Sequence, residues 1–154
     1  DNQLTTLDVS NNPVLAELIC KNNLLTQLNI DNCPELTLLY CENNNISELD
    51  LTTNTNLSLF ICSNNSLTSL DLSNASNLNT LSCATNKLNS LNLSLNTQLS
   101  NLICADNQLT QLDISNNMAL ETVNCLDNPL ETIYVCEGYS FSLNKPETTQ
   151  IVVK

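Results

Sequence analysis

The sequence predicts a solenoid, one stack of short extended turns carrying a parallel sheet, and three observations predict it. Cys20, Cys41, Cys62, Cys83, Cys104 and Cys125 stand 21 residues apart. Asn23, Asn44, Asn65, Asn86, Asn107 and Asn128 repeat with the same period. The 154 residues are 42% apolar yet include two Phe, three Tyr and no Trp, so the core must be built from Leu and Ile. A fixed period of this length is the signature of units that bury their apolar faces against one another.

Each turn has two halves. The first runs through Leu15, Leu18, Cys20 and Asn23, and the second through Leu25, Leu28 and Ile30, before Leu36 opens the next turn. Alternation of the Leu-x-Cys and Leu-x-Leu kind is the period of a half-buried strand. Two short strands or extended segments per turn are therefore expected, with little or no α-helix. The second half supplies the columns Leu28, Leu49, Leu70, Leu91, Leu112, Ile133 and Ile30, Leu51, Leu72, Leu93, Ile114, Val135. Its polar column is looser, reading Asn12, Cys33, Asn54, Ala75, Asn96, Asn117. A lone turn buries too little aliphatic surface to offset its backbone entropy, so turns must stack. An inward Asn, with two donors and an acceptor oxygen, suits the corners where the backbone has no sheet partner. The chain holds one Gly against a usual share of about 7%, so glycine turns are not what bends it.

Six cysteine-bearing turns and a leading part-turn fill residues 1–136. The period lapses in 137–154, where Tyr139–Leu143 and Gln150–Val153 read as strands around an Asn-Lys-Pro-Glu turn. A β-type C-terminal cap is expected there, with Phe141, Leu143, Ile151 and Val153 covering the last rung. No comparable cap precedes Leu4, which makes self-association at an uncapped N-terminal edge an expectation, alongside a longer parent protein.

These repeats resemble the 21-residue leucine-rich repeats of bacterial surface proteins, of the internalin J-like kind with a cysteine column. The resemblance covers Leu4 to about Val135. It implies a leucine-rich-repeat solenoid, coiled right-handed with a parallel β-sheet on the cysteine-bearing face, in proteins exported to the cell surface and often engaged in adhesion. It implies no particular ligand. The chain departs from the pattern at Cys33 and Ala75, and at Phe60 and Val123 in leucine positions.

The cysteines admit three readings. In-register Cβ atoms of stacked strands sit about 4.8 Å apart, outside the usual span of a disulfide. A straight column flanked by Leu does not converge tetrahedrally, as zinc requires. Buried free thiols acting as small hydrophobes fit best. Cys33 stands in a ladder position and is expected to be partly buried. Cys136 falls in the solvent-facing column of Ser10, Asp31 and Thr52 and is the candidate reactive thiol. The chain has no His and no Cys-x-x-Cys pair, so neither a general base nor a redox couple is at hand and an enzyme is not expected. No cofactor or resident metal is expected either.

The outward positions of the two halves differ. Beside the cysteines they include Ile19, Leu38, Tyr40, Leu59, Ile61 and Ile103, the predicted binding residues, five of them in three adjacent turns. Contiguous exposed apolar surface marks partner sites, although such residues also suit strands for their own sake. The other face is polar, with a column of Asp8, Asn29, Asp50, Asp71, Asn92 and Asp113. There Asp50 and Asp71, with Glu48, form a conceivable calcium cluster, or simply a solvated face. Sixteen acidic against four basic residues, net charge −12, argue against nucleic acid. No apolar run is long enough to span a bilayer, and Asp1 to Thr6 lack the n- and h-regions of a signal peptide. The function expected is a non-enzymatic module of a secreted or surface protein, binding a protein or glycan. The alternative is a spacer, stalk or self-association domain of a larger protein.

Overall fold

In the computed structural model, which describes residues 2–10 and 12–154, the chain is a stack of about seven turns containing ten strands and, among the described residues, no helix. Strands β1 (Glu17–Ile19), β2 (Leu38–Tyr40), β3 (Leu59–Ile61), β4 (Thr80–Ser82), β5 (Asn101–Ile103), β7 (Thr122–Asn124) and β9 (Ser142–Asn144) form one parallel sheet in that order. The register is a strict 21-residue step from β1 to β7, so Leu18, Leu39, Phe60, Leu81, Leu102 and Val123 share a row. Alternation turns that row inward, and from Leu39 onward each member is buried. Phe60 and Val123, the departures from leucine, are absorbed without exposure.

The opposite half of each turn takes both of the expected forms, short strands at one end of the stack and extended segments along the rest. Its strands, β6 (Gln111–Asp113), β8 (Thr132–Val135) and β10 (Gln150–Val153), form only at the C-terminal end. Elsewhere, among the described residues, strand-type pairing on this side is limited to two isolated bridges, Asp8 to Asn29 and Asn92 to Asp113. One side is therefore a continuous parallel ladder along the stack, while the other pairs as strands only at its C-terminal end.

Two asparagine columns line the corners, and they are satisfied to different degrees. Asn44 Nδ2 donates to the carbonyls of Cys41 (3.0 Å) and Cys20 (3.1 Å), and its Oδ1 accepts the Leu25 N–H (3.0 Å). Asn65, Asn86, Asn107 and Asn128 repeat that set one turn on each time. In the second column, Asn54 Nδ2 donates to Cys33 (2.9 Å) and Ile30 (3.2 Å), but its Oδ1 has no partner, and neither do those of Asn96 and Asn117. Cys33 and Ala75 occupy the same corner, and both are fully buried. The expectation of a partly buried Cys33 is thus corrected: the corner has no route to solvent.

Between strand and corner the chain passes through the left-handed region at Asn22, Asn43, Asn64, Thr85, Asp106 and Asp127, with φ between 53° and 57°. Asn and Asp tolerate this conformation, which explains how the turns close without glycine. The sole glycine, Gly138, has φ +70° where the 21-residue period ends.

Residues 142–153 lay one more rung on both sheets, β9 on β7 and β10 on β8. The strand expected at Tyr139–Leu143 starts later, at Ser142, because Tyr139 N–H bonds back to Cys136 in a turn. Phe141, Leu143 and Ile151 pack against the core, whereas Val153 is 56% exposed and covers nothing.

Candidate functional site

The cysteine sheet turns its inner rows to the core and its outer rows to solvent, and the outer face is where the predicted binding residues lie. Pairing sets Ile19 beside Tyr40 and Tyr40 beside Ile61, with Leu38 beside Leu59. Five of the six residues are thus one contiguous group on β1 to β3. Ile103 stands apart, because Ser82 fills the position between it and Ile61. Their exposure is uneven. Ile19 is 58% and Ile103 40% exposed, but Leu38, Tyr40, Leu59 and Ile61 are half-buried against one another. Stacking at strand spacing covers the flanks of long side chains and leaves only their tips in water.

Charged neighbours complete the group. The Lys21 ammonium lies 3.3 Å from a Glu42 carboxylate oxygen and 5.7 Å from the centre of the Tyr40 ring. Glu42 is sunk in the face, and its Oε2 has no hydrogen-bond partner. Towards the far end the face becomes small and polar, with Ser63 and Ser82 hydroxyls 2.8 Å apart, before Ile103 and Leu126 restore apolar tips. Along one rim runs a ladder not anticipated from the sequence. Asn43 Nδ2 donates to Asn22 Oδ1 (2.7 Å) and Asn64 Nδ2 to Asn43 Oδ1 (2.8 Å). Its sequence signal is the Asn or Asp recurring two residues after every cysteine of the column but Cys83, where Thr85 stands, overshadowed by the asparagine three residues after.

The cysteines themselves are free thiols sealed beneath the face. Burial pushes the thiols of Cys20 and Cys125 up to about 11 and that of Cys83 up to about 12. Cys41, Cys62 and Cys104 are raised well above the ordinary thiol value, again by burial first and by neighbouring thiols second. Thiols so placed are poor nucleophiles and poor ligands. Cys136 is half-buried rather than open to solvent, its neighbour Val135 being held in β8.

On the opposite side a shallow groove is lined by Asn29, Asp31, Glu48, Asp50, Thr52 and Asp71. Two of its carboxylates, Asp50 and Asp71, accept from the chain two residues on. Asp50 Oδ1 accepts from the Thr52 hydroxyl and N–H, and Asp71 Oδ1 from the Ser73 N–H at 2.9 Å. These bonds hold both carboxyls below the usual range. Asn29 and Asn92 make the same contact to Asp31 and Ser94, so the column is a series of turn caps in which charge is optional. Among the described residues no group of three or more His, Cys, Asp or Glu is placed to hold a metal ion.

Comparison with solved structures places this architecture. A leucine-rich-repeat protein of Leptospira interrogans superposes with a TM-score of 0.79 at 27% identity, over 84% of this chain and 36% of that one. The fold is a leucine-rich-repeat solenoid. The internalin InlF of Listeria monocytogenes shares the fold of this solenoid, with a TM-score of 0.71 at 21% identity over 97% of this chain and 47% of that one. The functional domain of InlJ from Listeria monocytogenes, which includes a cysteine ladder, is 27% identical over 88% of this chain and 42% of that one. Its TM-score is 0.46. No protein-family model and no curated protein matches the chain. The leucine-rich-repeat solenoid described here thus spans a third to a half of the structures it resembles.

Proposed function

We propose that this leucine-rich-repeat solenoid is a non-enzymatic binding module, of an adhesive kind, in a secreted or surface-exposed bacterial protein. Its ligand contacts the outer face of the cysteine sheet. The observation that carries the reading is the contiguous group of Ile19, Leu38, Tyr40, Leu59 and Ile61 on three adjacent strands, with Ile103 as a second contact. A rigid sheet presenting apolar tips through a polar surround matches the anatomy of protein interfaces. The face is aliphatic with one aromatic ring, Tyr40, already attended by Lys21, which favours a protein over a glycan. Leucine-rich-repeat and internalin-type neighbours support a binding role in general terms, and the surface location follows the same analogy.

The test compares beads coated with the chain and with its Tyr40→Asp, Ile61→Asp variant for adhesion to living cell layers. Both side chains end in solvent, so the variant folds, which circular dichroism checks. Adhesion lost on the variant supports the reading. Equal adhesion of both, or adhesion by neither, overturns it, and the second result is that of a spacer.

A further inference from the structure

The charges around the sheet face are as uneven as its apolar groups are clustered. Glu17, Glu42, Asp106, Glu121 and Asp127 lie on the face or its rims, against Lys21 alone. Lys21 is itself taken by Glu42 at 3.3 Å. The chain has only three other cations. Lys154 is bound to Asp113 at 2.6 Å on the opposite side, Lys145 donates to the carbonyls of Pro146 and Thr149, and Lys87 is exposed at the corner that follows Asn86 of the asparagine column. The ladder of neutral amides on one rim gives way to carboxylates at Asp106 and Asp127, beside the exposed tips of Ile103 and Leu126.

From this arrangement we infer that the partner of the sheet face is a protein surface with lysine or arginine side chains set around an aliphatic centre. The inference rests on the reading of that face as the contact surface and adds the chemistry of its occupant. Apolar tips supply area that is released from water, while carboxylates at the edges stay partly hydrated and attract from a distance. Rim charges of this kind govern encounter and choice of partner more than final affinity. A partner with an acidic or neutral rim would set like charges or desolvating surface against Glu17, Asp106, Glu121 and Asp127, whereas a basic rim meets each with a cation. Anionic surfaces, nucleic acid and acidic lipid alike, are repelled by the same field.

The experiment measures fluorescence anisotropy of three labelled amphipathic peptides with the whole chain: one of Leu and Lys, one with Glu for Lys, and one with Ser for Leu. The Leu/Lys peptide is expected to bind, to weaken with added salt, and to lose about tenfold or more in affinity on a Glu17→Gln, Asp106→Asn, Glu121→Gln, Asp127→Asn variant. All four side chains are exposed, and Asn is already used at the left-handed rim positions, so this variant folds. Binding of the Leu/Glu peptide with equal strength, and its loss on Tyr40→Asp, Ile61→Asp, would overturn the basic partner and leave the sheet face standing as the contact surface. Equal binding of the Ser/Lys peptide would also overturn the inference, since the apolar centre would then contribute nothing. So would failure of the Leu/Lys peptide to bind.

Discussion

Asn65 and Ile46 are joined across a whole turn, the Asn65 Oδ1 accepting the Ile46 N–H at 2.9 Å while its Nδ2 holds the carbonyls of Cys41 and Cys62, each at 3.0 Å. Both ends of this amide are used. At Asn54 only the donor end is used, the oxygen being buried without a partner. The difference accounts for an asymmetry in the sequence. The first column is unbroken, whereas the second admits Cys33 and Ala75, because removing an amide there also removes an unsatisfied oxygen. Asn65→Ala is therefore expected to destabilise by about 1–3 kcal/mol, and Asn54→Ala by about 1 kcal/mol or less. Urea unfolding of the two variants checks the order, and a larger loss at Asn54 would contradict the account.

Thr85 is the one β-branched residue in the left-handed column, at φ 53°, where its neighbours are Asn or Asp. Its side chain crowds the backbone there without the local hydrogen bonding that Asn supplies. Thr85→Asn is expected to stabilise by about 1 kcal/mol and to raise the melting temperature in calorimetry. It would also place an amide next to Asn64 at the end of the rim ladder.

The cysteine column predicts a decline in stability at high pH. Burial raises Cys20 and Cys125 to about 11 and Cys83 to about 12, above the ordinary value of 9.0. Between those values the folded chain retains thiol protons that the unfolded chain has lost. The stabilisation is thus complete below about pH 9 and is withdrawn as pH rises towards 11 and 12. Melting temperatures should hold level to about pH 8 and fall above 9. A Cys83→Ala, Cys104→Ala pair should flatten the fall while lowering stability at neutral pH. In the native chain a thiol reagent should find one fast group, Cys136, and seven slow ones.

The Asp column yields a prediction in the opposite direction. Since Asn29 and Asn92 cap their turns as Asp50 and Asp71 do, Asp71→Asn should leave the melting temperature unchanged and Asp71→Ala should lower it. Millimolar calcium should shift neither, because the capping oxygens are already engaged. A calcium-dependent rise lost in Asp71→Asn would restore a metal site to this groove.

The inner rows of the cysteine sheet were legible in the sequence because their chemistry is periodic. A 21-residue recurrence sets register, the inward row and the sealed thiols at once, since any residue spaced so must stack on its counterpart. The candidate face was legible in part. Ile19, Tyr40 and Ile61 follow from alternation, yet their half-burial and the hold of Glu42 on Lys21 do not, because both depend on how far side chains lean across neighbouring turns. Which stretches of the opposite side form strands and which stay merely extended was not legible, for a related reason. Alternation there is as regular as on the cysteine side, but strand pairing depends on how closely successive turns approach, which alternation does not specify.

By itself the sequence determined the length of the turn, the two columns of asparagine and the identity of the core, all consequences of a local pattern repeated without interruption. Only the tertiary structure decided which asparagine oxygen goes unsatisfied, which turns close through the left-handed region, and which apolar tips meet. Those outcomes depend on distances between residues about 20 positions apart, which are set by stacking and not by the order of residues along the chain.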